Sequence, residues 1–203
     1  MNFELIDNLF QVILMSGAAI LSAGLAFRKK SRQLLILAFA YGTFAMGTIY
    51  WLLHLAITGM VPQIFFVAEI SWGASYLFLL SLQIARTEKI KIRCSIPGLL
   101  AAFIASNRIL WYRILGPSYF FSTIFSLTVS VIVYLAVFRL QTKVSGRRVD
   151  LQLLILIILQ MALYIVSRSM EDFQHFNLYF AIDISLTLCW VGMLPLILRE
   201  VEV

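Results

Sequence analysis

Residues 63 to 80 read QIFFVAEISWGASYLFLL, a run that would be an ordinary lipid-spanning helix if Glu69 were a leucine. A hydrocarbon core about 30 Å thick is crossed by about 20 apolar residues of helix, because only a backbone that satisfies its own hydrogen bonds can face lipid. The run meets that requirement and still carries a carboxylate at membrane depth. Its length bears on the fold, and its acid bears on function.

Outward from this stretch the pattern repeats. Of the 203 residues 62% are hydrophobic and only 13% are charged, and mean hydropathy is +0.94, values foreign to a soluble domain of this size. Apolar stretches recur at about 10–27, 34–57, 63–85, 95–112, 119–138, 151–168 and 177–198. The expected fold is therefore all-α: a polytopic membrane protein whose residues 1–203 form a single seven-transmembrane helix bundle. The fourth stretch is the weakest, with Pro97 in its first turn and Asn107 and Arg108 near its end. If it does not span, everything after it inverts.

Lys and Arg of short loops stay on the cytoplasmic side. Arg28, Lys29, Lys30 and Arg32 follow the first span, Arg86, Lys89, Lys91 and Arg93 the third, Arg139, Lys143, Arg147 and Arg148 the fifth, and Arg199 the seventh. Only Arg108, Arg113 and Arg168 fall on or near the other side, which predicts an N-terminus outside and a C-terminus in the cytoplasm. The net charge of +6 is then explained by loops meeting anionic headgroups of the lipid bilayer, and nucleic acid is not an expected partner. Glu4 and Asp7 precede the first span and its basic cluster follows it, the reverse of a cleaved signal peptide. A multi-pass protein of a bacterial inner membrane is expected. Cys94 and Cys189 offer no outside pair for a disulfide.

Spans one to three and five to seven run in the same directions, which permits a 3+1+3 parallel repeat. Gln33-Leu-Leu-Ile-Leu37 recurs as Gln152-Leu-Leu-Ile-Leu156, and Glu69-Ile-Ser71 echoes Asp183-Ile-Ser185. No linker or soluble appendage is evident and four residues follow Arg199, so any cytoplasmic output is expected to come from a partner protein.

An ionisable residue inside a span faces protein or a wet cavity by default. Glu69 and Asp183 each fall roughly 9 Å below the outer edge of their spans. His54, Arg108 and Arg168 lie near the outer ends of spans two, four and six, and the connection SRSMEDFQHF adds Glu171, Asp172 and His175. Helical spacing aligns Glu69, Trp72, Gly73 and Tyr76 on span three, and Tyr179, Asp183, Thr187 and Trp190 on span seven. It likewise aligns Tyr50, Trp51 and His54 on span two, Gln160, Tyr164 and Arg168 on span six, and Ser122, Ser126 and Ser130 on span five. Ala18, Ser22 and Ala26 give span one a close-packing face. The stripes predict an outward-facing polar and aromatic pocket. Against it stands the structural account, in which Trp and Tyr populate interfaces, hydroxyls bond their own backbone, and Glu69 and Asp183 pair with Arg108 or Arg168.

A metal-dependent intramembrane hydrolase needs three or four ligands and a water position. His54 and His175 with Glu69, Asp183, Glu171 and Asp172 could in principle supply them, but no HxxxH or HExxH pair is present, which leaves this reading a minor alternative. No Gly-x-Ser-x-Gly elbow marks a serine hydrolase. No catalytic residue, metal or other cofactor is expected. The layout resembles that of the microbial rhodopsins, but the last span has Asp183 and no lysine, which excludes covalent retinal. Pro62-Gln63 is similar to the signature of PQ-loop and SWEET proteins, which also use a three-plus-one-plus-three layout; the likeness covers one dipeptide and has no counterpart in the second half.

Two readings follow. In the first, Glu69, Asp183, Arg108, Arg168, Trp51, Trp72, Tyr76, Tyr179 and His54 line a site for a small-molecule ligand in a receptor-like sensor or accessory subunit. In the second, the same acids serve a small-solute or proton-coupled transporter. Polar groups concentrated on one side favour the first. The sequence leaves the ligand and the oligomeric state open.

Overall fold

The computed structural model describes residues 3–60, 66–88, 90–91, 94–112, 119–142, 145–170 and 173–202. Pro62, Gln63, Lys89, Arg93, Arg113, Lys143, Glu171 and Asp172, singled out above, lie outside the described residues. The elements are helical throughout: α1 (Phe3–Lys29), α2 (Arg32–Thr58), α3 (Phe66–Thr87), α4 (Ile96–Tyr112), α5 (Tyr119–Gln141), α6 (Arg147–Ser167), α7 (Leu178–Val191) and α8 (Met193–Glu202). Each of the seven apolar stretches is a helix. Among the described residues six helices are long and apolar enough to cross a membrane, with α7 and α8 counted as one, and α4 is a shorter apolar helix. This is the build of an integral, multi-pass membrane protein.

Two boundaries differ from the sequence expectation for identifiable reasons. Helix α1 begins at Phe3, seven residues before the apolar run, because its first turn is fastened at both chain and side-chain level. Glu4 sits where a carboxylate complements the helix dipole, and the Asn8 amide donates to the Glu4 carbonyl at 2.8 Å. The Phe3 N–H donates to the Gln174 carbonyl at 3.0 Å, and its ring lies edge-on to Phe176 and Phe180 at 5.2 and 4.7 Å. The last span, in turn, is interrupted at Gly192. Pro195 has no N–H to offer the Val191 carbonyl four residues back, so the ladder breaks there. Gln152 of α6 donates to the nearby Cys189 carbonyl at 2.9 Å.

Helices α1, α2, α3, α5, α6 and α7 pack each on the next, and α7 returns to α1, closing a ring. Helix α4 stands outside it against α5. At about 1.5 Å per residue α4 is about 26 Å long, and it runs antiparallel to α5. Ser95 donates to Gln141 at 2.7 Å at one end, and the Ser106 and Ser126 hydroxyls meet at 2.9 Å toward the other. The short fourth helix thus carries the chain from one pole to the opposite one. Outer faces are apolar, with Phe27, Phe39, Ile57, Phe103 and Trp111 all more than half exposed. Buried positions instead include Asp7, Gln11, Thr48, Gln83, Arg86, Arg139 and Asp150. Apolar outer faces are what lipid contact requires, and the buried polar groups sit within an otherwise apolar core.

The pole that holds the C-termini of α3, α5 and α8 is shut by buried ions. Arg86 Nη1 meets Asp150 Oδ1 at 2.7 Å and its Nη2 meets Glu200 Oε2 at 2.8 Å. Arg139 Nε lies 3.2 Å from both Asp150 oxygens, and its Nη2 donates to the Ser145 carbonyl at 2.8 Å. Gln83 donates to Asp150 at 3.0 Å and accepts from Arg86. Gly146, left-handed at φ 86°, gives its carbonyl to Arg86 at 3.0 Å. A β-carbon there would collide with the Glu200 carboxylate, so both its conformation and its space favour glycine. Arg86 and Arg139, read from sequence as loop charges, are helix-end residues buried in this network.

Candidate functional site

The opposite pole contains a cavity of about 410 Å³. It lies inside the ring, between the N-terminal halves of α1, α3, α5 and α7 and the C-terminal halves of α2 and α6. Helix α1 supplies Glu4, Asp7, Asn8 and Gln11; α2 gives Phe44 and Trp51; α3 gives Trp72, Gly73 and Tyr76; and α5 gives Phe125. Helix α6 adds Gln160, Leu163, Tyr164 and Ser167, and Phe173 lies before the α7 residues Tyr179, Phe180, Asp183 and Leu186.

Each wall is fixed by contacts across helices. The Trp51 indole N–H donates to Glu4 Oε1 at 3.1 Å, and that of Trp72 donates to the Thr48 hydroxyl at 3.3 Å. Thr48 in turn reaches Gln11 Oε1 at 3.5 Å. Trp72 can lie this close to α2 because residue 47 is glycine: a β-carbon there would sit 2.9 Å from its Nε1. Tyr76 donates to Gln160 Oε1 at 2.7 Å. Beneath them the fully buried Trp190 makes a floor, with Phe44 and Tyr76 each 5.5 Å from its ring. Tyr41 donates to the Trp190 carbonyl at 2.9 Å.

The acids are clustered differently from the sequence expectation. Asp183 lies within electrostatic reach of Asp7, Gln11 and Tyr179, so its acidic neighbour is on α1. Oδ1 of Asp7, a residue only 3% exposed, has no hydrogen-bond partner among the described residues. None of the ion pairs among the described residues involves Asp7 or Asp183.

Of the residues singled out from sequence, Trp51, Trp72, Gly73, Tyr76, Gln160, Tyr164, Tyr179 and Asp183 line the cavity together. Glu69 is buried, one turn before Trp72, and within electrostatic reach of Tyr164, but it is not in the lining. His54 is half-buried on α2 with its ring 6.2 Å from Tyr50. Arg168 is exposed at the end of α6, and Arg108 is exposed on α4, outside the ring. Sequence reasoning missed Glu4, Asp7 and Gln11 as site residues. Their signal was present: Asp7, Gln11, Met15, Ala18, Ser22 and Ala26 form one buried stripe, the same stripe read above only from Ala18 onward. Among the described residues no three His, Cys, Asp or Glu side chains converge as a metal ion would need.

Comparison with protein-family models, with curated proteins and with solved structures finds no match to this chain. The reading of the site therefore rests on its own geometry.

Proposed function

We propose that this integral membrane protein binds a small molecule in the cavity, which faces the outside, and that it acts as a receptor-like sensor or accessory subunit whose output a partner protein carries. The observation that supports the reading is the contrast between the poles. A cavity of about 410 Å³, within the size range of small-molecule sites, occupies the end of the ring that carries the α1 N-terminus. The basic residues that the positive-inside rule keeps in the cytoplasm gather at the other end, where buried ion pairs fill the bundle. Asp183 and the aromatic walls would contact the ligand, while Arg108 is too far outside the ring to do so.

The test is a thermal-shift screen of the purified protein in nanodiscs against small amines, sugars and organic acids. At least one class should raise the melting temperature, and Trp72→Ala should remove that shift. A flat response across all classes would count against a ligand site. The transporter reading, with Glu69 and Asp183 as proton or cation carriers, has one observation in its favour: the closed pole is sealed by ion pairs, contacts that a gate can break and remake. Flux of the screened ligand, or of protons, into proteoliposomes separates the two readings, since a sensor moves neither.

A further inference from the structure

We infer that the cavity takes an organic cation, a protonated or quaternary amine with an apolar body. The inference rests on the ligand-binding reading above and specifies the chemistry of the ligand.

Three independent observations lead to it. The first is charge: the described lining residues include the acids Asp7 and Asp183 and no lysine, arginine or histidine. Asp7 and Asp183 face each other with no ion pair to offset them. The second is an unmet hydrogen bond. Asp7 Oδ1 is buried in the lining without a partner among the described residues, and buried polar atoms are costly to leave unpaired. A cation with an N–H group supplies both the donor and the charge. The third is the surface around the acids. Trp51 and Trp72 present rings 5.9 Å apart, Phe173 and Tyr179 present rings 5.2 Å apart, and Phe44 and Tyr76 complete the lower wall. Aromatic faces attract cations through their quadrupole, and most strongly where water is excluded.

Other ligand classes fit less well. An anion would meet the acids without a counter-charge. A neutral polyol could use the Gln160 amide and the Tyr164 hydroxyl of the lining, but it brings no charge to set against Asp7 and Asp183.

Three probes of one shape decide the matter: phenethylamine, 2-phenylethanol and phenylacetate, titrated into the nanodisc-embedded full chain while its tryptophan fluorescence is followed. The amine should bind about tenfold more tightly than the alcohol, and phenylacetate should not bind. Asp7→Asn, which keeps the side-chain shape, should bring the amine down to the affinity of the alcohol, and Asp183→Asn provides a second test on another helix. Equal binding of amine and alcohol by the unmodified protein overturns the cation inference and leaves the ligand site standing. Failure of all three probes to bind overturns both. An amine preference that survives both substitutions also overturns the assignment, because the charge would then be read elsewhere.

Discussion

At the scale of single residues, the proposed cation site rests on Asp7 and Asp183, and one of the two was legible. Asp183 stood out because a carboxylate inside an apolar run is costly enough to demand a reason. Asp7 has the same environment, 3% exposed, but it lies ahead of the apolar run. Hydropathy places it before the membrane, whereas the contacts of Phe3 with Phe176 and Phe180 extend α1 past it. Glu69 was legible as buried but not as a wall residue, since a stripe fixes which face is inward and not how far each side chain reaches. A pH dependence follows for the proposed cation site. The titratable groups on its walls are Glu4 and Asp7 from α1, Tyr76 from α3, Tyr164 from α6, and Tyr179 and Asp183 from α7, with Glu69 nearby; α2 and α5 contribute only aromatic rings to the described lining. A cation and a proton compete for the same carboxyl oxygens, so phenethylamine affinity should weaken as pH falls. The slope should approach about tenfold per pH unit where one proton leaves for each cation bound. Titration between pH 5 and pH 8 reads this, and Asp7→Asn should flatten it.

At the scale of elements, the ion network at the closed pole was hidden for a different reason. Arg86 bonds Asp150 across 64 positions and Glu200 across 114, a pairing that no local pattern encodes. The same arginines entered the count of basic loop residues, where only their side of the membrane mattered. Removing one member of a buried pair leaves the other charge uncompensated, which costs about 3–5 kcal/mol, whereas replacing the whole cluster by apolar groups can be neutral. Asp150 is the acid shared by Arg86 and Arg139. Asp150→Asn should therefore lower the apparent Tm in detergent by more than the matched change at an exposed acid such as Glu202. Gly146→Ala acts on the same cluster through the backbone. The left-handed conformation alone costs a side chain on the order of 1 kcal/mol, and the added β-carbon would collide with Glu200. It should destabilise comparably to Asp150→Asn, and the double variant should lose less than the sum, because both disrupt one network. Strict additivity in the melting curves would mean that the two do not act on a common structure.

At the scale of the whole molecule, the number of helices was legible and their arrangement was not. Apolar length marks a membrane helix wherever it sits, and in lipid an outer face is as apolar as a core face, so hydropathy cannot tell that α4 stands outside a ring closed by the other six. Gln33 and Gln152 begin similar pentapeptides, yet Gln152 bonds the Cys189 carbonyl while Gln33 Oε1 has no partner among the described residues. Matching letters here do not carry matching contacts. The proposed orientation is testable with the cysteines the chain already has. Cys94 is exposed and Cys189 buried, and Cys94 adjoins Ser95, whose bond to Gln141 places it at the pole opposite the cavity. A membrane-impermeant maleimide should leave right-side-out vesicles unlabelled and label inside-out vesicles, with Cys94→Ser abolishing the signal. Labelling from the outside would turn the cavity toward the cytoplasm. The amine affinity of the site would be unaffected by that result, but its source of ligand would change from the external medium to the cell interior.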